Sequence, residues 1–257
     1  MKEKISISLD RKLLGRADEI IDGANIRNRS QALEHLIRKA LNQKNIEYAV
    51  ILAGGEKEKL KLRDTYRPLI RVDGSPLIIN TIKKLKDAGV TNIIIAAGPI
   101  TDKVFDMVGD GSEFGVTITY VQDRETGTAG ALKAAERHLD RGPFFVILGD
   151  EYFDFDLNRM IDFHHSNNSL ATIAICVTEL KHSDDYIKIV GNRITDFHYQ
   201  TVPERTHHVN AGVYLMEPDI LSYLPEKGSL ENTVLPELSS KGTLTAFIFS
   251  GKWIHVR

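Results

Sequence analysis

The sequence has one cysteine, one tryptophan and few aromatics, with Phe, Tyr and Trp making up 7% of its 257 residues. A lone Cys176 excludes an internal disulfide, and its setting in the apolar run Thr172–Val177 reads as core rather than reactive thiol. No run of about 18 apolar residues occurs, which argues against a membrane-spanning helix. The first ten residues alternate charged and apolar side chains and lack the 7–15-residue apolar stretch of a secretory signal, so the expected location is the cytoplasm. His164 and His165 are adjacent and lack the i, i+4 spacing of a helical zinc site. What is present is ordinary for a globular protein: 42% apolar, 26% charged and a formal net charge of −2. That net value hides an asymmetry. Ten Lys/Arg against six Asp/Glu give residues 1–45 a charge of +4, leaving −6 for the remainder. A basic head on an acidic body suggests a polyanionic partner for the head.

In the head, Lys4–Leu9 alternates strictly, with Ile5, Ile7 and Leu9 on one face and Lys4, Ser6 and Ser8 on the other. This is the period of a half-buried strand. Asp10 is a good helix N-cap, and the helix that follows carries Leu13, Leu14, Ala17, Ile20 and Ile21, with Gly23 as its stop. A second helix starts near Asn28 or Ser30 and carries Ala32, Leu33, Leu36, Ile37, Ala40 and Leu41. One strand and two helices in so short a segment cannot bury these stripes alone, which predicts a homodimer or higher homo-oligomer. The order and the segments KISISLD, LLGRADEIID and NRSQALEHLIRKAL resemble the ribbon-helix-helix DNA-binding proteins. The resemblance implies double-stranded DNA as partner. Lys4, Ser6 and Ser8 would read base edges, and Asn28, Arg29 and Ser30 would hold a phosphate at a helix start. A dimerising module without DNA is the rival reading of the same residues.

After a short polar linker, residues 48–257 alternate strands and helices. Apolar strand runs at 48–53, 92–97, 116–121 and 144–148 are separated by helices near 77–88, 101–107 and 129–139. Strands buried on both faces predict a doubly wound, mostly parallel α/β sheet. The predicted architecture is thus a βαα head over 1–44 and a Rossmann-like body over 48–257. Gly54-Gly55 and Gly149-Asp150 both fall at strand ends, where such sheets bind ligands. Glycines after a strand let backbone N–H groups approach a phosphate, and a strand-end aspartate can hold Mg²⁺.

The segments ILAGG (51–55), RPLIRVDGSPLI (67–78), GTAGAL (127–132), VILGDEYFDFDL (146–157), NAGVYLMEPDIL (210–221) and SLENTVLPEL (229–238) occur in an order that resembles the sugar-1-phosphate nucleotidylyltransferases. The resemblance implies nucleotide contacts at Leu52, Ala53, Gly54, Gly55, Lys59, Arg67, Gln122, Gly127, Thr128 and Ala129. It implies sugar contacts at Asn210 and Gly212 and a Mg²⁺ ligand at Asp150. The sequence also departs from that pattern. Lys57 stands for a glycine and Lys59 for an arginine of the first loop. Tyr199 and Gln200 fall where a glutamate and a lysine belong, and His255 takes the place of a second metal-binding aspartate. Arginine grips a triphosphate with a planar fork where lysine offers a point charge, and imidazole is a poor Mg²⁺ ligand. These departures predict a DNA-binding transcriptional regulator whose body senses a nucleotide, nucleotide-sugar or sugar phosphate with little or no catalysis. An active nucleotidylyltransferase with a dimerising or autoregulatory head is the alternative, and a body serving only as a structural clamp is a third reading.

Overall fold

A computed structural model describes residues 6–21, 26, 28–42, 46–139, 142–177, 185–199 and 208–256. The chain divides into two compact units, Met1–Asn45 and Ile46–Arg257.

In the first unit, helix α1 (Arg11–Asp18) starts at Asp10, whose carboxylate accepts the N–H groups of Lys12 and Leu13. This is the N-cap expected from the sequence. Helix α2 (Arg29–Asn42) is capped by Asn28, whose Oδ1 accepts Gln31 N–H at 3.0 Å. One expectation changes here. Residues 6–10 carry no strand, and Ser6 and Ser8 are simply exposed; a single chain gives that edge no ladder partner. The Arg29 side chain grips Asp18 through Nε and Nη2 at 2.8 and 2.6 Å. Ser30 is exposed in the first turn of α2. Lys4 and Gly23 lie outside the described residues.

The second unit is built on a nine-stranded sheet. Its strands are β1 (Tyr48–Leu52), β2 (Asn92–Ala96), β3 (Thr117–Val121), β4 (Phe144–Leu148), β6 (Ala171–Val177), β7 (Asp185–Val190), β8 (Arg193–Tyr199), β9 (His208–Met216) and β10 (Leu244–Phe249). Strand β5 (Glu151–Phe153) pairs separately with β11 (Trp253–His255). The sheet order is β7-β8-β10-β6-β9-β4-β1-β2-β3. Strands β3, β2, β1 and β4 are mutually parallel, as the alternating sequence predicts, while β9 runs antiparallel between β4 and β6. The chain moves outward from β1 to β3 and then returns to place β4 on the other side of β1. That reversal opens a crevice at the carboxyl ends of β1 and β4.

Both faces of the sheet are buried. Ala49, Ile51, Ile93, Ile95, Phe145 and Ile147 pack one way, against Ile78, Ile82 and Leu85 of α3 (Leu77–Asp87), Val104 of α4 (Thr101–Val108) and Met160 of α6 (Leu157–Asn167). Val50, Leu52, Ile94, Phe144 and Val146 pack the other way, against Ala129, Leu132 and Ala135 of α5 (Gly127–Ala135) and Leu235 and Leu238 of α7 (Leu235–Ser240). This explains why these strands read as unbroken apolar runs. Cys176 is buried among them. Among the described residues no helix is long and apolar enough to cross a membrane.

Two outcomes test this framework. Ile51 is fully buried, so Ile51→Ala should cost about 2–5 kcal/mol in urea unfolding. Ile248, 48% exposed, should tolerate the same change within about 0.5 kcal/mol. In the head, hydrogen bonding from the Arg29 guanidinium holds the Asp18 carboxyl below its ordinary value. A depressed acid stabilises above its unfolded pKa of about 3.9 and loses that contribution as pH falls through the folded value. Helical signal from α1 and α2 should therefore weaken on acidification, and Asp18→Asn should reproduce the loss at neutral pH.

Candidate active site

The crevice is set by how closely β1 and β4 end. Gly149 N–H donates to Leu52 O at 2.8 Å, and a Cβ on Gly149 would stand 2.7 Å from the Ala53 Cα. Ala53 N–H reaches across to Ala96 O at 2.8 Å. A Cβ on Gly54 would collide with the Asp123 carboxylate, which lies over this glycine and also accepts Glu125 N–H at 2.9 Å. Burial pushes the Asp123 carboxyl above its ordinary pKa. Asp123 was not singled out in the sequence; its signal was its place in the segment after β3, next to exposed Gln122. Gly55 has φ of +132°, and the loop turns there into a single helical turn, Lys57–Leu60. Lys59 binds Glu56 at 2.7 Å in an exposed pair, so the negative charge of this loop is partly answered within it.

Asp150 follows Gly149 and binds Arg67 Nη1 at 3.2 Å. Arg67 Nε is buried and has no hydrogen-bond partner among the described residues. Pairing of β11 with β5 sets His255 opposite Glu151, and His255 Nδ1 meets Glu151 Oε1 at 2.7 Å. Val256 N–H donates to Asp150 O at 2.9 Å, which ties the same strand to the metal-ligand candidate. Asp150, Glu151 and His255 each offer a ligand atom within 4.8 Å of the others. Glu151 corrects the expectation that His255 leaves Asp150 without a second carboxylate. A buried carboxylate beside aromatics leaves no periodic signal, so nothing in the sequence marks Glu151 out. Glu151 is buried in a space that Gly212 leaves: a Cβ there would come within 2.5 Å of the Glu151 Cγ.

Asn210 and Gly212 lie on β9, where the register against β6 shifts. Gly212 has φ of +67°, and its N–H donates to Asn210 Oδ1 at 3.0 Å. The bulge thus turns Asn210 onto its own backbone and toward Tyr214, whose hydroxyl accepts from Asn210 Nδ2 at 2.8 Å. At the start of α5, Gly127 has φ of +81° and packs directly on Gly228 O, to which Ala129 N–H donates at 3.0 Å. The Thr128 hydroxyl is committed to Glu231, and Leu230 N–H donates to it at 2.8 Å. The Ala129 N–H and the Thr128 hydroxyl expected at a nucleotide are therefore engaged by residues 228–231. Leu52, Ala53, Gly54, Gly55, Arg67 and Asp150 meet at the β1/β4 crevice, and Glu151 with Gly212 joins the sugar-side segment to it. Gln200 lies outside the described residues.

A family profile described as nucleotidyl transferase matches residues 48–256. The chain belongs to the nucleotidyl transferase family. Over 218 residues it is 31% identical to a mannose-1-phosphate guanyltransferase of Yarrowia lipolytica, covering 80% of this chain and 60% of that protein. A probable mannose-1-phosphate guanylyltransferase of Oryza sativa subsp. japonica is 31% identical over 220 residues, covering 81% and 60%. The chain thus spans 60% of the length of these relatives. A Bacillus anthracis structure assigned as a glucose-1-phosphate thymidylyltransferase superposes with a TM-score of 0.72 at 26% identity, over 82% of this chain and 89% of that one. HddC from Yersinia pseudotuberculosis does so at 0.66 and 25%, over 82% and 93%. These likenesses overturn the expectation of a DNA-binding transcriptional regulator with an inert sensing body. The relatives are named for nucleotidyl transfer, and the nucleotidyl transferase match begins at residue 48 and lends nothing to a ribbon-helix-helix head. They favour the active enzyme.

Removing the space that admits Glu151 tests the site's construction. Gly212→Ala should displace Glu151 from His255 and, from the added strain at positive φ, cost roughly 1–3 kcal/mol. Thermal melts would check the loss, and a crystal structure of the variant should show the separated pair.

Proposed function

We propose that this protein is a sugar-1-phosphate nucleotidylyltransferase. A sugar-phosphate oxygen attacks the α-phosphorus of a nucleoside triphosphate, the bond to the β-phosphate breaks, and pyrophosphate leaves with the electron pair. The observation that carries the reading is the meeting of Asp150, Glu151 and His255 at the β1/β4 crevice, with Arg67 on Asp150. The names of the relatives at 31% identity support GTP and mannose 1-phosphate as the substrate pair.

The residues divide the work by chemistry. The backbone of Leu52, Ala53, Gly54 and Gly55 lies against the triphosphate, with Lys59 and Arg67 as cations. The unpartnered Nε of Arg67 is a donor left over for a phosphate oxygen. Gln122 and the segment starting at Gly127, Thr128 and Ala129 frame the base. Asn210 and Gly212 face the sugar. The donor set suits Mg²⁺: Asp150 and Glu151 supply the hard oxygens it takes, and His255, bonded to Glu151, orients that carboxylate from outside. Mg²⁺ bound there neutralises charge that develops on the phosphates. In the head, Leu13, Leu36 and Ile37 are exposed apolar residues that support self-association of this unit.

Pyrophosphate release from GTP with mannose 1-phosphate and Mg²⁺ tests the reading, alongside other NTPs and sugar 1-phosphates. Turnover is expected, and Asp150→Asn should lower kcat/KM by roughly 10²–10³. Absence of release across the whole panel would overturn it. Light scattering should give the mass of a dimer or larger assembly, reduced toward the monomer by Leu13→Asp with Ile37→Asp.

A further inference from the structure

Glu231 is buried, 8% exposed, and belongs to none of the groups assigned above to phosphate, base, sugar or metal. It sits in the helical turn Leu230–Val234 that precedes α7. Its two oxygens take different partners. Oε1 accepts the Tyr214 hydroxyl at 3.1 Å, and Oε2 accepts the Thr128 hydroxyl at 2.8 Å. The proton directions follow from the next bonds outward. Tyr214 already accepts from Asn210 Nδ2, and Thr128 already accepts from Leu230 N–H, so each hydroxyl donates its own proton to Glu231. One continuous chain therefore runs from the first turn of α5 through Thr128, Glu231 and Tyr214 to Asn210 and the Gly212 bulge.

We propose that Glu231 is a positioning residue that fixes the base-side start of α5 and the sugar-side Asn210 loop to each other, setting the two substrates in register. The proposal rests on the transferase reading. Only a carboxylate accepts from both hydroxyls at once; glutamine would turn a donor toward one of them. Burial lifts the Glu231 carboxyl above its ordinary pKa, with Asp150 adding to the rise. A purely structural strut gains nothing from that cost, since apolar side chains fill a buried position at least as well.

The test uses the full chain and three variants, Glu231→Gln, Tyr214→Phe and Thr128→Val. Kinetic constants come from pyrophosphate release, binding of Mg²⁺-GTP and of mannose 1-phosphate from calorimetry, and stability from melting. Tyr214→Phe should weaken mannose 1-phosphate by roughly 10-fold and GTP by no more than about twofold, and Thr128→Val should do the reverse. Glu231→Gln, close to isosteric, should weaken both and lower kcat by roughly 10- to 100-fold while the protein still melts cooperatively. A Glu231→Gln protein that melts lower but keeps both affinities and kcat would overturn the proposal and leave the transferase reading intact. So would single variants that disturb both substrates equally. A wild-type protein that binds neither ligand would sink both.

Discussion

The site depends on the contact between the ends of β1 and β4. Gly149 lies against Ala53 with no room for a methyl group, and its N–H closes on Leu52 O. The order of the parallel strands makes these ends neighbours although they are far apart in the chain. One strand then delivers the glycine loop and the other delivers Asp150. Spreading the strands to admit a side chain would separate the phosphate-side backbone from the carboxylate, and displacements of about 1 Å at such sites are costly to chemistry.

Charge at this crevice is arranged around that contact. Asp123, Asp150, Glu151 and Glu231 gather on the same end of the sheet, and each is held differently. Asp123 is capped by backbone N–H, Asp150 by Arg67, Glu151 by His255 and Glu231 by two hydroxyls. Burial lifts the carboxyls of Asp123 and Glu231 above their ordinary values, and the charge of Asp150 adds to the rise at Glu231. A crevice so furnished attracts a cation.

Much of the fold was legible because the parallel strands are buried on both faces. Ile93–Ala96 and Phe144–Leu148 are apolar without a break, and the helices between them keep their 3.6-residue period. That the glycine loop and Asp150 end neighbouring strands was legible from the alternation of strands and helices. The head read less well: alternation from Lys4 to Leu9 describes a strand only where another edge exists to pair with it. The inert reading failed for a related reason. It counted Lys59, Gln200 and His255 as losses position by position, but Glu151 enters the cluster through a cross-strand pairing and through the space at Gly212, neither of which has a local pattern. The Glu231 chain is likewise invisible in sequence, since its members sit on three separate elements.

The bond between His255 and Glu151 spans 104 positions. Closing so long a loop has an entropic cost, which the ordered sheet between the two ends helps to offset. The ribbon that brings His255 to Glu151 is short and lies outside the nine-stranded sheet, so loss of its pairing would part the two side chains while the sheet stays whole. The carboxylate–imidazole pair thus rests on three residues at a ribbon's edge rather than on the buried core of the sheet.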